Sequence, residues 1–313
     1  MEKRIWKKLF GTVLLAVLLL IAPNFKAFAK EKTPETPELK LEYSANKGCI
    51  VLSWNQVKCD GYMVFRDNSD DEYELLEELD NKTYEYTDGV KDGKKHKYVI
   101  VSFFEPDGEY YFSEDSNVVS GYRYCLNEYF ALDQRIDAPN GCELYALATL
   151  LHYNGVEVDP LTLCEKIPKE SAPHGAVGGN PNRAFLGEPT SYAGWGVYSD
   201  PITKLAKKYK NDPQNITGTS LDDVLDIVAK GHAVQVWTTI GNGNYRNYGK
   251  TWTDTKTGEK LTWKVDNHSL VIIGYTKNDI ICSDSLAAGI RAYDREIFEK
   301  NYNFHGKQAV YYE

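Results

Sequence analysis

The chain has 313 residues, and its 45 acidic residues outnumber its 36 basic residues, which gives a net charge of −9. An acidic protein is poorly suited to nucleic acid or to an anionic membrane surface, so we expect neither as a partner. The length suits two domains of ordinary size.

The first residues are typical of a secretory signal peptide. Four basic residues lie within the first eight positions, residues 11–22 are apolar, and Ala27-Phe28-Ala29 has the small-x-small pattern of a cleavage site. The apolar run is shorter than the roughly 20 residues that a membrane span needs. We therefore expect cleavage of residues 1–29 after Ala29, and a secreted mature chain without a membrane span.

The cysteines do not form a metal-binding or redox pattern. No two of them are spaced as C-x-x-C, so a zinc site or a dithiol redox motif is not expected. Export would permit disulfide bonds, but their connectivity stays open. We expect the protein to need neither a metal nor another cofactor. The six cysteines are Cys49, Cys59, Cys125, Cys142, Cys164 and Cys282.

The residues after the signal peptide indicate a linker and then an all-β domain. Residues 30–38 are charged and proline-rich, which favours an extended linker. In residues 39–123, short apolar runs are separated by clusters of Asp, Asn and Gly. Ile50, Leu52 and Trp54 alternate with other residues at the period of a half-buried strand. Several such strands predict a β-sandwich.

This β-rich segment resembles a fibronectin type III domain. The resemblance implies a spacer or an adhesion module that carries no catalytic residues. We interpret His96, in the same segment, as a solvated loop residue. The matching residues are Leu52-Ser53-Trp54, Gly61-Tyr62, Val64-Phe65-Arg66, Tyr98, Ile100, Ser102 and residues 113–119.

Residues 126–313 have a different pattern, in which helices come first and strands follow. Apolar residues at i, i+3, i+4 and i+7 from Leu144 predict a helix that begins just after Cys142. Asp159 and Asp200 each precede a proline and are predicted helix N-caps. This order predicts an α+β domain, and the whole chain is expected to be multi-domain. The predicted strands are residues 233–239, 262–265, 269–275, 279–282 and 308–312.

The segment Asn140-Gly141-Cys142-Glu143 places a cysteine in the first turn of that helix. A helix N-terminus has unpaired N–H groups and a partial positive charge, which favour a thiolate over a thiol. Because the thiolate is the reactive form, Cys142 is the candidate nucleophile.

A nucleophilic cysteine needs a base, and His268 is the best placed histidine because it directly precedes the buried strand 269–275. Asp284 follows the next predicted strand, and a hairpin would bring it beside His268 as the acceptor that orients the imidazole. Gln134 lies eight residues before Cys142 and is a candidate oxyanion donor beside the Cys142 N–H. Each of the three also has an ordinary structural interpretation when it is taken alone.

The other histidines of this part are weaker candidates. His152 lies too far along the helix to reach Cys142, and His232 stands between a helix end and a strand. His174 and His305 lie in glycine-flanked loops, and we expect both to face solvent.

Residues 126–313 as an ordered set resemble papain-like cysteine peptidases, and more specifically the peptidase family thirty-nine-like group, relatives of the domains that cleave double-glycine leaders from bacteriocins. The resemblance implies that Cys142 is the nucleophile, His268 the base, Asp284 its orienter and Gln134 the oxyanion donor. The matching residues are Gln134, Gly141-Cys142-Glu143, Asn154-Gly155-Val156, Gly179-Asn180-Pro181, Phe185-Leu186-Gly187, Gly194–Tyr198, Gly231–Val234, Val236-Trp237, Asn267-His268, Asp284, Gly306 and Gln308-Ala309-Val310.

These observations predict an exported cysteine peptidase that acts on a peptide or protein substrate outside the cell, and a substrate associated with the cell wall or cell surface is compatible with this prediction. Leader-processing members are fused to transport machinery, and this chain has neither a second long apolar run nor a glycine-rich nucleotide loop. Two alternatives stay open. One is a non-catalytic surface module for binding or adhesion. The other is a cell-wall amidase or a transglutaminase-like acyl transferase with the same catalytic residues.

Overall fold

The computed structural model describes residues 33–44, 49–68, 72–90, 92–126, 129–246 and 249–313. The expected signal peptide and its cleavage site lie outside these residues. The described residues divide into two compact units. The first holds those up to Tyr122 except Asp92 and Gly93, and the second holds these two residues and Arg123–Glu313. No helix in the described ranges has both the length and the apolar character needed to cross a membrane.

The described part of the first unit consists of β-strands in two antiparallel sheets. One sheet has the order β1-β2-β5, and the other has the order β4-β3-β6-β7, with β8 pairing with β6. The strands are β1 (Leu39–Ser44), β2 (Cys49–Trp54), β3 (Gly61–Asn68), β4 (Glu72–Asp80), β5 (Glu85–Asp88), β6 (His96–Phe104), β7 (Tyr111–Phe112) and β8 (Val119–Gly121).

The two sheets of the first unit share one apolar core. Ile50 and Leu52 of β2 and Val64 of β3 are fully buried in it, as the alternation of apolar residues predicts. His96 does not lie in a solvated loop, so that interpretation was wrong. It begins β6, pairs with Gly121 of β8 and is 9% exposed, because strand pairing extends to this residue.

The second unit contains strands and all five α-helices of the described residues. Its helices are α1 (Cys142–His152), α2 (Pro160–Lys166), α3 (Ser199–Ala206), α4 (Leu221–Ala229) and α5 (Arg295–Phe304). Its strands are β9 (Arg123–Cys125), β10 (Lys169–Glu170), β11 (Val177–Gly178), β12 (Phe185–Leu186), β13 (Pro213–Asn215), β14 (Val234–Thr239), β15 (Gly249–Asp254), β16 (Lys260–Lys264), β17 (Asn267–Thr276), β18 (Asp279–Asp284), β19 (Gly289–Asp294) and β20 (Ala309–Tyr312).

A seven-stranded sheet with the order β13-β20-β14-β17-β18-β19, in which β9 also pairs with β17, organises the second unit. Successive residues of a strand point to opposite faces of a sheet. Val271 and Ile273 of β17 accordingly pack in a core with α1, α2 and α3, while Leu270 and Ile272 pack in a second core with α4 and α5. The central strand is therefore covered on both faces, which explains its continuous apolar sequence.

Asp159 and Asp200, the two predicted helix N-caps, lie at the starts of α2 and α3. The Asp159 side chain accepts a hydrogen bond from the Leu161 N–H and caps α2, as predicted. Asp200 was wrongly predicted as an N-cap, because α3 already begins at Ser199 and Asp200 lies in its first turn. An acidic residue there still complements the partial positive charge of the helix N-terminus.

The described cysteine side chains do not form disulfide bonds among themselves. The five side chains are buried: Cys59, Cys125, Cys142, Cys164 and Cys282.

Arg183 connects two small sheets of the second unit through paired carboxylates. Its Nη2 lies 2.7 Å from Glu170 Oε2 of β10 and 2.9 Å from Asp254 Oδ1 of β15. Lys256 Nζ lies 2.8 Å from Glu170 Oε1. The hydrogen bonds with Arg183 lower the pKa of Glu170 to about 2 and hold the pKa of Asp254 well below its usual range.

We expect Arg183→Met to reduce the free energy of unfolding at pH 7 by about 1–3 kcal/mol, because two carboxylates lose their charged partner. Carboxyl groups whose pKa is lowered on folding stabilise the protein above their unfolded pKa of about 4, and this contribution is lost as the pH falls toward the folded value. Urea denaturation should therefore show a larger difference between wild type and variant at pH 7 than at pH 3. Lys256→Met is the control, since its exposed ion pair is worth less than about 1 kcal/mol.

Candidate active site

Cys142 is the first residue of α1, and hydrogen bonds fix the turn before it. The Gly141 N–H donates to Ala138 O at 2.8 Å, and Asn140 Nδ2 donates to Ser191 O at 2.8 Å. A Cβ on Gly141 would lie 2.7 Å from the Ala138 Cβ, so this turn requires glycine. The predicted helix start is confirmed, and Cys142 is 8% exposed.

The Cys142 thiol is in contact with the carboxyl group of Glu143. Cys142 Sγ donates to Glu143 Oε2 at 3.3 Å, and the Val197 N–H donates to Glu143 Oε1 at 3.1 Å. Glu143 is 1% exposed. A buried carboxyl group therefore lies directly against the candidate nucleophile.

Burial, followed by the negative charge of Glu143, raises the pKa of the Cys142 thiol well above its ordinary value, although the Ser269 backbone lowers it. Burial also raises the pKa of the Glu143 carboxyl to about 7, against the effects of the Val197 N–H and the thiol. The expectation of a lowered thiol pKa was therefore wrong for this arrangement. Desolvation and a neighbouring carboxyl outweigh the partial charge of the helix N-terminus.

His268 and Asp284 lie on adjacent strands and are hydrogen bonded. β17 and β18 form the predicted antiparallel hairpin across residues 276–278. His268 Nε2 lies 2.9 Å from Asp284 Oδ1, and both side chains are almost fully buried. Burial would raise the pKa of Asp284, but hydrogen bonds from His268, Tyr293 and the Ala287 N–H bring it well below its usual range. Asp284 is thus an ionised acceptor that holds one imidazole nitrogen, which leaves Nδ1 for a reaction partner.

Two interactions connect the surroundings of His268 with the Cys142 thiol. The backbone of Ser269, which follows His268, interacts with the Cys142 thiol. The imidazole also lowers the pKa of Glu143, the hydrogen-bond partner of the thiol. The thiol itself is directed at Glu143.

Gln134 is 1% exposed, and its side chain is held on both sides. Its Oε1 accepts from Ser285 Oγ at 2.7 Å, and its Nε2 lies 3.3 Å from Pro139 O and 3.4 Å from Ala138 O. The structure therefore places the amide against the turn that leads into Cys142. The two long hydrogen bonds are the weak ones of the three.

The sequence pattern assigns no role at this site to Glu143 or Gln235, although both have close contacts with it. Glu143 belongs to the matched segment Gly141-Cys142-Glu143, and Gln235 lies within an apolar strand. Gln235 Nε2 donates to Glu143 O at 2.9 Å and to Ser269 Oγ at 3.0 Å. Both residues are polar or charged side chains inside otherwise apolar elements, and this pattern could have identified them as functional candidates.

The expectation of solvent exposure was wrong for His305. This residue follows α5, is 5% exposed, and its Nε2 lies 3.1 Å from Thr239 Oγ1. Burial lowers the pKa of His305 to about 4. His305 is therefore a neutral core histidine. His174 is exposed, as expected.

A cavity of about 570 Å³ lies next to the candidate residues. It is lined by Asn140, two residues before Cys142, and by Asn267, directly before His268. Trp195 and Trp263 form an aromatic wall, with ring centroids 6.2 Å apart. Lys250 Nζ lies 4.9 Å from the centroid of the Trp195 ring. The cavity therefore has an aromatic wall with a lysine side chain beside it.

Among the described residues, no group of three or more His, Cys, Asp and Glu side chains is placed to hold a metal ion.

Comparisons with known proteins agree on the second unit. A model described as the Peptidase C39-like family matches residues 127–310. The uncharacterised protein YvpB of Bacillus subtilis (strain 168) is 33% identical over 184 residues, which are 57% of this chain and 72% of YvpB. The crystal structure of a candidate C39-like peptidase from Bacillus anthracis has a TM-score of 0.57 and 28% identity, and covers 61% of this chain and 97% of its own.

The first unit has weaker similarities. An Fn3-like protein from Clostridium thermocellum is 23% identical over 28% of this chain and 90% of its own, with a TM-score of 0.24, which is too low to assign a fold. The C-terminal part of the chain has the fold of a C39-like peptidase, and by the family match over residues 127–310 this chain belongs to the Peptidase C39-like family.

Proposed function

We propose that this chain is an exported cysteine peptidase that hydrolyses amide bonds in a peptide or protein substrate. The observation that carries the proposal is the buried hydrogen bond of 2.9 Å between His268 Nε2 and Asp284 Oδ1, beside the helix that begins with Cys142. An ionised acceptor on one imidazole nitrogen fixes the tautomer and orientation of a catalytic histidine. Family membership supports a peptidase-like fold for this site.

In the proposed reaction, Cys142 first gives its thiol proton to a neighbouring base, and the thiolate formed attacks the carbonyl carbon of the scissile bond. The His268 imidazolium protonates the leaving amine, and a thioester joins the acyl part to Sγ. Neutral His268 then takes a proton from water, and the hydroxide formed attacks the thioester. The acid product leaves, and the thiolate and the imidazolium are restored. Asp284 stays ionised and stabilises the imidazolium.

The oxyanion of the tetrahedral intermediate would lie near the start of α1. The first N–H groups of a helix lack intrahelical partners, so the Cys142 N–H is one donor. Gln134 is the second donor in this proposal. Its amide would exchange two long hydrogen bonds, to Ala138 O and Pro139 O, for a charge-assisted one to the oxyanion.

The cavity beside Cys142 supports a substrate with an extended backbone. Trp195 and Trp263 would contact a bulky apolar or aromatic side chain next to the scissile bond. The expected signal peptide supports a substrate outside the cell, and the acidic charge argues against nucleic acid as a partner. An aromatic wall would also suit a cell-wall component, which keeps a cell-wall amidase as the second candidate.

We propose that residues 39–123 form a fibronectin type III-like module that spaces the catalytic domain or binds a surface ligand. Two antiparallel sheets with one shared core support this assignment. The matched Trp54 and Tyr62 lie in that core with their ring centroids 5.5 Å apart.

The test is to incubate residues 30–313 with a peptide library and, separately, with purified cell wall, and to identify products by mass spectrometry. We expect new peptide termini, and we expect prior alkylation with iodoacetamide to abolish their formation. Products from cell wall alone would replace the peptidase by an amidase. If intact substrate binds with measurable affinity but neither preparation yields products, the protein is a binding module.

A further inference from the structure

The contact between Cys142 and Glu143 has a consequence for the charge of the site. Sγ and Oε2 are 3.3 Å apart, and the two residues are 8% and 1% exposed. Little water can reach either group. Two negative charges at this separation in a poorly solvated site repel one another strongly.

The carboxyl group of Glu143 is also confined. Oε1 accepts from the Val197 N–H, and Val197 O in turn accepts from Trp237 Nε1 at 3.0 Å. A Cβ on Gly196 would lie 2.4 Å from Oε1, so the backbone of residues 196–197 packs directly on the carboxyl. Gly196 has φ +152°, a conformation that favours glycine. Glu143 therefore cannot withdraw when the neighbouring thiol ionises.

His268 is the group beside Cys142 and Glu143 that can carry a positive charge. The imidazole of His268 is near enough to affect Glu143, but its Nε2 is already paired with Asp284. The other ionisable groups near Glu143 are neutral or acidic. Those that interact electrostatically with Cys142 or Glu143 are Cys164 of α2, Tyr198, His268 of β17 and Asp284 of β18.

We infer that Cys142 and Glu143 share a single proton, and that Glu143 takes this proton when Cys142 becomes a nucleophile. The Sγ–H bond breaks, an O–H bond forms at Glu143 Oε2, and the new carboxylic acid donates a hydrogen bond back to the thiolate. The pair carries one negative charge before and after the transfer. The inference rests on the proposed function, since it assumes that Cys142 reacts as a thiolate.

Glu143 is then a catalytic residue that contacts the reacting sulfur. It keeps its proton while the thioester exists, because the proton that goes to the leaving amine comes from His268. When hydrolysis releases the thiolate, the carboxylic acid is already in place to donate to it. A carboxyl group with a pKa of about 7 is suited to exchanging a proton near neutral pH.

Sharing a proton predicts a distinctive titration. Two coupled acids lose their protons in two macroscopic steps that belong to the pair. The thiolate should therefore appear in part at the lower step, reach a plateau, and rise again at the upper step. Glutamine at position 143 cannot take the proton, so Glu143→Gln should show one step. That step should lie below the upper step of the wild type, because the repulsion by a carboxylate is removed.

The experiment is the rate of iodoacetamide alkylation of Cys142 between about pH 5 and 10, mapped by mass spectrometry. We expect two steps in the wild type and one in Glu143→Gln. Glu165→Gln is the matched control, because Glu165 follows Cys164 in the chain's other Cys-Glu pair but is exposed. It should keep both steps. A single step in the wild type would overturn the inference.

A second measurement covers the case in which Glu143→Gln does not fold. Infrared difference spectra follow the C=O stretch of the protonated Glu143 carboxyl. This band should titrate in two steps in the wild type and in one step in Cys142→Ala. Identical one-step titrations in both proteins would refute proton sharing.

Peptide hydrolysis measured on the same samples separates this inference from the proposed function. Two-step alkylation without hydrolysis of any substrate would support the shared proton and refute the peptidase. Hydrolysis with single-step alkylation would support the peptidase and refute the shared proton.

Discussion

Replacing Cys142 with alanine is expected to reduce kcat/KM for peptide hydrolysis by at least about 10⁴-fold, because in the proposed mechanism Cys142 forms the covalent intermediate. The fold should persist, since the hydrogen bond of this thiol is to the adjacent residue, Glu143. The check is kcat/KM with a fluorogenic peptide chosen from the library, together with thermal unfolding followed by circular dichroism.

Cys59→Ala is the matched control for this variant. Cys59 is also a free thiol, and its exposed fraction of 6% is close to the 8% of Cys142, but it lies in the first unit. It should retain full activity. A Cys142→Ala protein as active as Cys59→Ala would exclude nucleophilic catalysis by Cys142.

Replacing His268 with alanine is expected to lower kcat by about 10²–10⁴-fold, because the leaving amine loses its proton donor. His232→Ala is the control, since His232 is only half buried and its ring lies against Tyr311, with centroids 5.9 Å apart. A kcat for His268→Ala equal to that of His232→Ala would remove His268 from the mechanism.

Asp284→Asn is expected to impair catalysis less than Cys142→Ala does, because in the proposed mechanism Asp284 orients the imidazole and does not react. It should also change acid stability. Hydrogen bonds hold the pKa of Asp284 below its unfolded value near 4, so its ionised form stabilises the fold above that pH, and the contribution is lost as the pH falls. The difference in free energy of unfolding between wild type and variant should therefore be larger at pH 7 than at pH 3.

Asp279→Asn is the control for this pH dependence. Asp279 lies at the other end of β18, where burial raises the pKa of its carboxyl. The sign of its contribution is opposite, so this variant should not lose stability preferentially at neutral pH.

Much of the arrangement around the site could be predicted because it depends on local periodicity. The apolar spacing after Cys142 predicts α1, and the two apolar runs on either side of residues 276–278 predict the β17–β18 hairpin. The antiparallel pairing of β17 with β18 then places Asp284 beside His268, so this prediction needs no contact between residues distant in the sequence. These features follow from interactions between neighbours in the sequence.

The state of the thiol could not be predicted in the same way. A helix N-terminus favours a thiolate, but burial and the Glu143 carboxyl act in the opposite direction. The Glu143 carboxyl accepts a hydrogen bond from the N–H of Val197, which lies 54 residues away in the sequence. The Gln134 side chain likewise depends on Ser285, 151 residues away. Such long-range contacts leave little trace in a single sequence.

The burial of two histidines was also predicted wrongly. His96 is the first residue of β6 and His305 directly follows α5, and neither has apolar periodicity around it, so the sequence context indicates solvent. Strand pairing buries the first, and a hydrogen bond with Thr239 accompanies burial of the second.

The buried reduced thiols of Cys59, Cys164 and Cys282 bear on how the protein can be made and handled. Because these side chains are packed as reduced cysteines, their part of the fold does not depend on an oxidising folding pathway or on a disulfide isomerase. Production in a reducing cytosol and storage with a thiol reductant are therefore compatible with this core, and the same reductant would keep Cys142 from oxidation.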